Sequence, residues 1–421
     1  MHHLPRALRS PVCTLAALLC LVTSLSADDW PQWRGPHRDG RSAETGLLKA
    51  WPAGGPPLAW KAGELGAGYA SVAVAQGGVY TAGDVGRENF VLRLKESDGT
   101  RVWATRLGKA GAPGWGGFGG PRGTPTLDGD RLYALGQYGE LVCLETATGK
   151  EVWRRDLTKD LGGTLPEWGF SESPLVDGDR VLVTPGGAKG TIAALDKKTG
   201  QPLWQSAGLT DEAQYTSLVP ATIGGVPQYV QLTMASVAGI SPAKGDLLWR
   251  APRKGATAVI PTPVIKGDLV YVSSGYGTGC NLFRVTKSGD AFAATQVYAN
   301  KTLENHHGGV VLVGDHLYGF DERKGWTCQL LESGAAVWQE KGKLGKGSIT
   351  YADGRLYCRE EAEKGSKIAL IEATPDGFRE SGRFEQPDQS GKQTWPHPVI
   401  ANGRLYLRDQ ENLFVYDVRA K

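Results

Sequence analysis

A glycine between two short apolar runs returns eight times along the chain, at Gly77, Gly129, Gly178, Gly224, Gly267, Gly314, Gly354 and Gly403. Typical surroundings are GTPTLDGDRLYA at 123–134, ESPLVDGDRVLV at 172–183, PTPVIKGDLVYV at 261–272 and HPVIANGRLYL at 397–407. Alternating apolar residues on both sides of a D-G or N-G type pair predict a β-hairpin. The spacing of 40–52 residues is too wide for a stack of single strands and leaves room for a second strand pair in each unit.

That second pair has its own signature. LVCLETATGKEVW at 141–153 returns as TIAALDKKTGQPLW at 191–204 and as FVLRLKESDGTRVW at 90–103. Looser copies are GISPAKGDLLW at 239–249 and QLLESGAAVW at 329–338. A Gly precedes a Trp by four in all five: Gly99/Trp103, Gly149/Trp153, Gly200/Trp204, Gly245/Trp249 and Gly334/Trp338. The glycine supplies the positive φ of a tight turn, and the Trp opens the next strand and fills the gap between neighbouring sheets. Two units depart from this, one ending near Tyr298 and one near Phe384.

Eight units of four strands predict an all-β fold, an eight-bladed β-propeller of antiparallel blades. The last unit reaches only 418–421 and lacks an outer strand, while a spare Trp-headed strand stands at 58–60. The N-terminal strand is therefore expected to complete the last blade and remove two exposed edges. Shorter-period parallel solenoids are the rival and lack a hairpin turn in each repeat. The 59 glycines, about twice the usual share of ~7%, and the 13 tryptophans fit this design.

Residues 1–26 read as a secretory signal: Arg6 and Arg9, an apolar stretch over 12–25, then Ser24 and Ser26 at −3 and −1 of a cleavage site. Residues 27–57 form an N-terminal extension and 58–421 the propeller. The mature chain is expected to carry no transmembrane span, to be secreted or periplasmic, and to be monomeric. A net charge of +3, from 47 basic and 44 acidic residues, excludes a general nucleic-acid binder. Cys143, Cys280, Cys328 and Cys358 contain no C-x-x-C pair, which excludes a zinc or redox motif of that kind and favours buried thiols over disulfides.

The repeats resemble the pyrroloquinoline quinone (PQQ) repeat, whose core runs A-x-D-x-x-T-G-x-x-x-W. AALDKKTGQPLW at 193–204 and CLETATGKEVW at 143–153 carry it nearly intact, and the similarity spans almost all of 58–421. DDWPQWRGPHRDG at 28–40 also resembles secreted PQQ-repeat proteins of planctomycete-type bacteria. The resemblance implies a propeller of the kind shared by BamB, a non-catalytic outer-membrane assembly component, and by quinoprotein dehydrogenases, which hold PQQ and calcium. The chain departs from those enzymes in being shorter and in having no adjacent Cys pair and no C-x-x-C-H haem site.

The loops leading into the innermost strands gather around one mouth of a propeller channel, where converging polar groups mark a site. Here they hold Arg122, Trp115, Trp168, Glu172, Tyr215, Glu304, Asn305, His306, His307, Lys346, Trp395 and His397. Trp115, Trp168 and Trp395 are candidates to stack on a planar ligand. Tyr215, His306, His307 and His397 line the ring of loops, and Arg122 and Lys346 are candidates for an anionic ligand. Glu172 is the candidate catalytic carboxylate, and Glu172, Glu304, Asn305 and His306 the candidate metal ligands. The alternative is that such groups satisfy backbone N–H groups at the mouth. Adjacent His306 and His307 are expected to face opposite ways in extended chain. GWGGFGG at 114–120 lacks the Lys-Ser/Thr of a phosphate loop, and no G-x-S-x-G elbow occurs. Three readings follow: an exported scaffold binding a protein partner or a small planar or anionic ligand, with no cofactor assigned; a PQQ- and calcium-dependent alcohol or sugar dehydrogenase; and a metal- or polysaccharide-binding module using His306, His307 and the tryptophans.

Overall fold

A computed structural model describes residues 1–2, 29–114 and 117–420. The leader expected at 1–26 lies outside the described residues except for its first two, as does Trp115. Every regular element among the described residues is a strand. The strands form eight antiparallel sheets, here blades 1 to 8. Blades 1 to 7 span 73–109, 126–156, 175–205, 219–252, 264–300, 310–340 and 347–385. Blade 8 combines 399–417 with Leu58–Ala62, which pairs with Asn412–Asp417. The ring is thus closed by the N-terminal strand, as the spare Trp-headed segment predicts.

All eight repeat glycines sit in two-residue hairpin loops at positive φ. In Gln76–Gly77, Gly224–Gly225, Asp353–Gly354 and Asn402–Gly403 both loop residues have positive φ, the type I′ geometry. In the other four the glycine comes first and an Asp follows at negative φ, as in type II′. Both types twist with the strands, so each loop fixes the register of its blade.

The second family of glycines joins one blade to the next. A Cβ on Gly149 would lie 2.6 Å from the Trp103 ring, one on Gly200 2.6 Å from Trp153, and one on Gly245 2.5 Å from Trp204. Each indole also donates to the turn it covers: Trp60 Nε1 to the Glu96 carbonyl (3.0 Å), Trp103 to Thr146 (3.1 Å), Trp153 to Lys197 (3.0 Å), Trp204 to Pro242 (3.2 Å) and Trp338 to Thr374 (2.9 Å). The aberrant unit at Tyr298 keeps the device, because its phenol donates to the Leu331 carbonyl at 2.8 Å. Trp249 donates within its own blade, to Gln228. Phe384 has no donor and packs between Trp51 and Tyr416 instead. Cys143, Cys280, Cys328 and Cys358 are buried free thiols. Burial pushes Cys143 and Cys328 up to about 11, which keeps them protonated and unreactive.

The extension fills the channel. Trp30 exchanges two backbone bonds with Val74 of blade 1, and the Pro31 carbonyl accepts from Leu127 of blade 2. Arg34 Nη2 donates to the Val310 carbonyl of blade 6 (2.6 Å) and Arg38 Nη2 to the Ser173 carbonyl beside blade 3 (2.5 Å). Arg41–Ser42 then adds a parallel fifth strand to blade 7, beside Tyr351 and Ala352. Arg34 and Arg38 are buried at positive φ, and desolvation lowers both guanidinium groups to about 10. They remain charged at neutral pH and act as polar spokes between the axis and the blades.

The two glycine families separate in a mutation test. Gly354→Ala meets no atom within 4 Å, so only left-handed backbone strain of about 1–2 kcal/mol applies. Gly149→Ala adds a steric clash with Trp103, and the expected loss is about 3 kcal/mol. Urea unfolding of the two variants checks the order; equal losses would remove the inter-blade role assigned to Gly149.

Candidate functional site

The loops that lead into the innermost strands do converge, and a cavity of ≈ 330 Å³ opens among them. Trp33 of the extension lines it, held by its Nε1 donating to Thr262 Oγ1 at 3.0 Å, and Trp33 packs 4.6 Å from His397. One wall is a chain of rings: Tyr69 lies 4.4 Å from Trp395, Phe118 5.1 Å from Trp395, and Trp395 5.7 Å from His307. Trp168 and Tyr215, 5.8 Å apart, supply a second aromatic pair.

Both His306 and His307 line this cavity, with ring centroids 4.9 Å apart. The expected alternation fails because residues 306–308 form a bend rather than a strand. Lys346 Nζ donates to His306 Nδ1 at 2.5 Å, so that nitrogen carries no proton. The proton is then on Nε2 and is shared with Tyr276 Oη at 2.7 Å. Burial first, then His307 and Lys346, lower the His306 pKa to about 3, which agrees with a neutral ring.

Glu361 anchors the group from behind. Its Oε2 receives His307 Nε2 at 2.8 Å and Lys346 Nζ at 3.1 Å, while Oε1 receives Trp395 Nε1. Burial alone would raise this carboxyl, but the His307, Lys346 and Trp395 contacts outweigh it and hold it well below the usual carboxylate range. His397 Nε2 donates to the His307 carbonyl at 2.9 Å, and burial, then Arg34, lower its pKa to about 3. Nδ1 of both His307 and His397 is buried with no protein partner.

The remaining candidates are placed differently. Ser171 and Ser173 line the cavity, so the intervening Glu172 points away from it. Its carboxylate accepts from Thr184 N and from Thr184 Oγ1 at 2.8 Å, and burial pushes its pKa up to about 7. Arg122 lines the cavity, but its fork is committed to the carbonyls of Trp168 (2.7 Å) and Phe118 (2.6 Å). Asn305 is tied to Phe320 and Gly309, and Glu304 lies 3.5 Å from Arg323. Calcium takes six to eight oxygen ligands. The described lining holds no carboxylate, and among the described residues no three His, Cys, Asp or Glu side chains converge as a cation site. This donor set does not fit a calcium-held quinone.

Sequence reasoning missed Trp33, Tyr276 and Glu361. Tyr276 and Glu361 come from loops between the second and third strands of blades 5 and 7, outside the segments expected to form the mouth. Trp33 had no local signal beyond the Trp-rich stretch that carries it.

The fold and its repeats have relatives. The family model described as outer membrane protein assembly factor BamB matches residues 87–340. BamB of Xanthomonas campestris pv. campestris is 27% identical over 208 residues, 49% of this chain and 46% of its own length. The match thus spans about half the length of that relative. Among solved structures, BamB from Moraxella catarrhalis aligns over 84% of this chain and 95% of its own, with a TM-score of 0.60 at 14% identity. Quinohemoprotein alcohol dehydrogenase from Comamonas testosteroni aligns over 94% and 81%, with a TM-score of 0.62 at 11% identity. At such identities the structural matches speak for the fold alone.

The Glu361 cluster makes a stability prediction. A carboxyl depressed in the folded state stabilises fully above its unfolded value of 4.5 and loses that contribution as pH falls toward the folded value. Glu361→Gln should therefore cost about 3 kcal/mol at pH 7, with the gap to wild type closing below pH 4.5. Thermal melts at pH 7, 4 and 3 read this; a gap that stays constant would mean the carboxylate charge does not matter.

Proposed function

The chain belongs to the family described as outer membrane protein assembly factor BamB, and from that premise we propose that it is an exported binding propeller that takes its ligand or partner segment at the channel mouth. The observation that carries this reading is the aromatic cavity itself. It is walled by Tyr69, Trp395, Trp168 and Tyr215, has Trp33 in its lining, and presents no carboxylate among its described residues. Concave, mostly apolar sites with a few fixed polar groups are where proteins hold ligands. Under this reading residues 1–26 are a leader removed on export. The mature chain then works as a monomer in the periplasm or outside the cell.

The competing reading is a PQQ- and calcium-dependent alcohol or sugar dehydrogenase, with Glu172 removing the hydroxyl proton. Two features count against it. Glu172 is engaged by Thr184 and is not among the residues lining the cavity, and Arg122 has its donors committed to carbonyls. A general base must reach the proton that it takes.

Calorimetric titration of PQQ into the metal-stripped exported protein, with and without calcium, separates the readings. A dye-linked oxidation screen of alcohols and sugars accompanies it. No calcium-dependent heat and no turnover are expected. Calcium-dependent binding with turnover would overturn the proposal and make Glu172 the first residue to mutate.

A further inference from the structure

Eight outer strands form the rim of the ring, and seven of them guard their open edges in the same way. Each is interrupted by a β-bulge directly after its first residue: Leu58, Arg101, Glu151, Pro202, Leu247, Ala336 and Glu380. Each also carries a charged residue or a proline. Bulges, charges and prolines keep an edge from pairing with another chain. Blade 5, one of the two units that depart from the Gly–Trp pattern, breaks both rules. Its outer strand Ala291–Asn300 reads AFAATQVYAN, with no charge and no proline in ten residues. Its bulge comes late, at Val297, so the six residues 291–296 run in unbroken register against 283–288.

This arm is braced on one side and open at its edge. Phe292 and Ala294 join Leu248 and Trp249 of blade 4 in one apolar cluster. A Cβ on Gly224 of blade 4 would lie 2.8 Å from the Lys287 side chain of the arm. Among the described residues no strand pairs with the outer edge. The two-residue turn Gly289–Asp290 makes Ser288 and Ala291 a hydrogen-bonded pair, and such pairs then alternate along the arm. Thr286–Ala293 and Arg284–Thr295 use their backbone groups within it. Phe292, Ala294 and Gln296 therefore turn their N–H and C=O groups outward, where one more strand can take them. The side chains select the occupant. Ala291, Ala293 and Thr295 are exposed on the face turned from blade 4. Such small residues leave room for β-branched or aromatic neighbours on an added strand. The uncharged edge offers no counter-charge to an acidic or basic segment. A second copy of the arm fits poorly. Paired antiparallel about its centre, it would set Ala293 against Ala294 and Phe292 against Thr295, with no large apolar pair formed.

We propose that the arm of blade 5 is a strand-addition site for another polypeptide. It pairs through the edge of 291–296 with an extended, uncharged segment of six residues, rich in β-branched or aromatic side chains. Main-chain bonds to Phe292, Ala294 and Gln296 supply the register, and contacts over Ala291, Ala293 and Thr295 supply the preference. This surface lies on the rim and does not depend on what the mouth cavity holds.

The test titrates the exported protein with end-capped, fluorescein-labelled hexapeptides, read by anisotropy. One alternates Val and Thr, one alternates Tyr and Thr, and each has a version with Lys or Glu at its third position. At least one uncharged peptide should bind below 1 mM, and Lys or Glu should weaken it at least tenfold. Methylating alternate amides of that peptide tests the ladder: one set should abolish binding and the other should leave it. Ala294→Pro removes an outward N–H that the arm itself does not use, and Thr295→Lys supplies the charge that other rim strands carry. Each should weaken binding at least tenfold while a thermal melt shows that the variant remains folded. No binding of any uncharged peptide at 1 mM would overturn the proposal, as would binding that tolerates both methylated sets. Full binding by both arm variants would also overturn it, by putting the segment elsewhere. Sedimentation of the wild type at 100 µM should show a monomer. A dimer that Thr295→Lys dissolves would make a second copy the occupant and overturn the proposal.

Discussion

The ring stands on one repeated contact: an aromatic residue at the start of a blade's outer strand lies against the turn glycine of the next blade and donates a hydrogen bond to that turn. The contact works only because the turn residue has no Cβ, since any side chain at Gly149, Gly200 or Gly245 would enter the indole. It couples two requirements in one residue, a positive φ for the turn and a flat surface for the ring. Tyr298 shows which part is essential. The indole is replaced there, but the donor and the flat face survive, and Gly334 still lies 2.9 Å from the ring by its missing Cβ. The blades are therefore held at a fixed spacing by directional bonds as well as by apolar packing.

That spacing leaves an axial channel, and the chain fills it with its own residues 30–40. The plug is polar where a simple core would be apolar. Arg34 and Arg38 reach carbonyls of different blades, and part of each guanidinium is left without a partner. Leaving buried donors unmade costs about 1–3 kcal/mol each. The arrangement is tolerable because the carbonyls of Val310, Ser173 and Pro174 lie within reach of the two guanidinium groups, which a cationic plug can use and an apolar one cannot. With Trp33 in the lining of the mouth cavity, the extension shapes the site as well as adding a fifth strand to blade 7.

How much of this the sequence discloses depends on the range of the interaction. The eight hairpin glycines and the Gly–Trp pairs are local signals, repeated often enough that the blade count and the closure by Leu58–Ala62 follow from them. The ring of mouth loops follows too, and Arg122, Trp168, Tyr215, His306, His307, Trp395 and His397 all line the cavity. Lys346 does not, but it sets the tautomer of His306 from behind. Glu172 shows the limit of locating a residue by its loop: the period of two turns it away between Ser171 and Ser173. Trp33, Arg34 and Arg38 are illegible for another reason. Arg34 meets Val310 across 276 residues of chain, and no local pattern encodes such a contact.

The mouth combines a closed polar network with an aromatic lining. Here Glu361, Lys346 and Trp395 form a closed network that uses Nε2 of His307 and Nδ1 of His306, and the Nδ1 atoms of His307 and His397 are shut away from water without a protein partner. The network fixes the rings of His306, His307 and Trp395 in place. Rings held rigid by well-paired surroundings are what a preorganised binding site requires, since little is left to order when a ligand arrives. The same arrangement gains nothing for a redox centre that needs a carboxylate facing the cavity, and Glu172 faces Thr184.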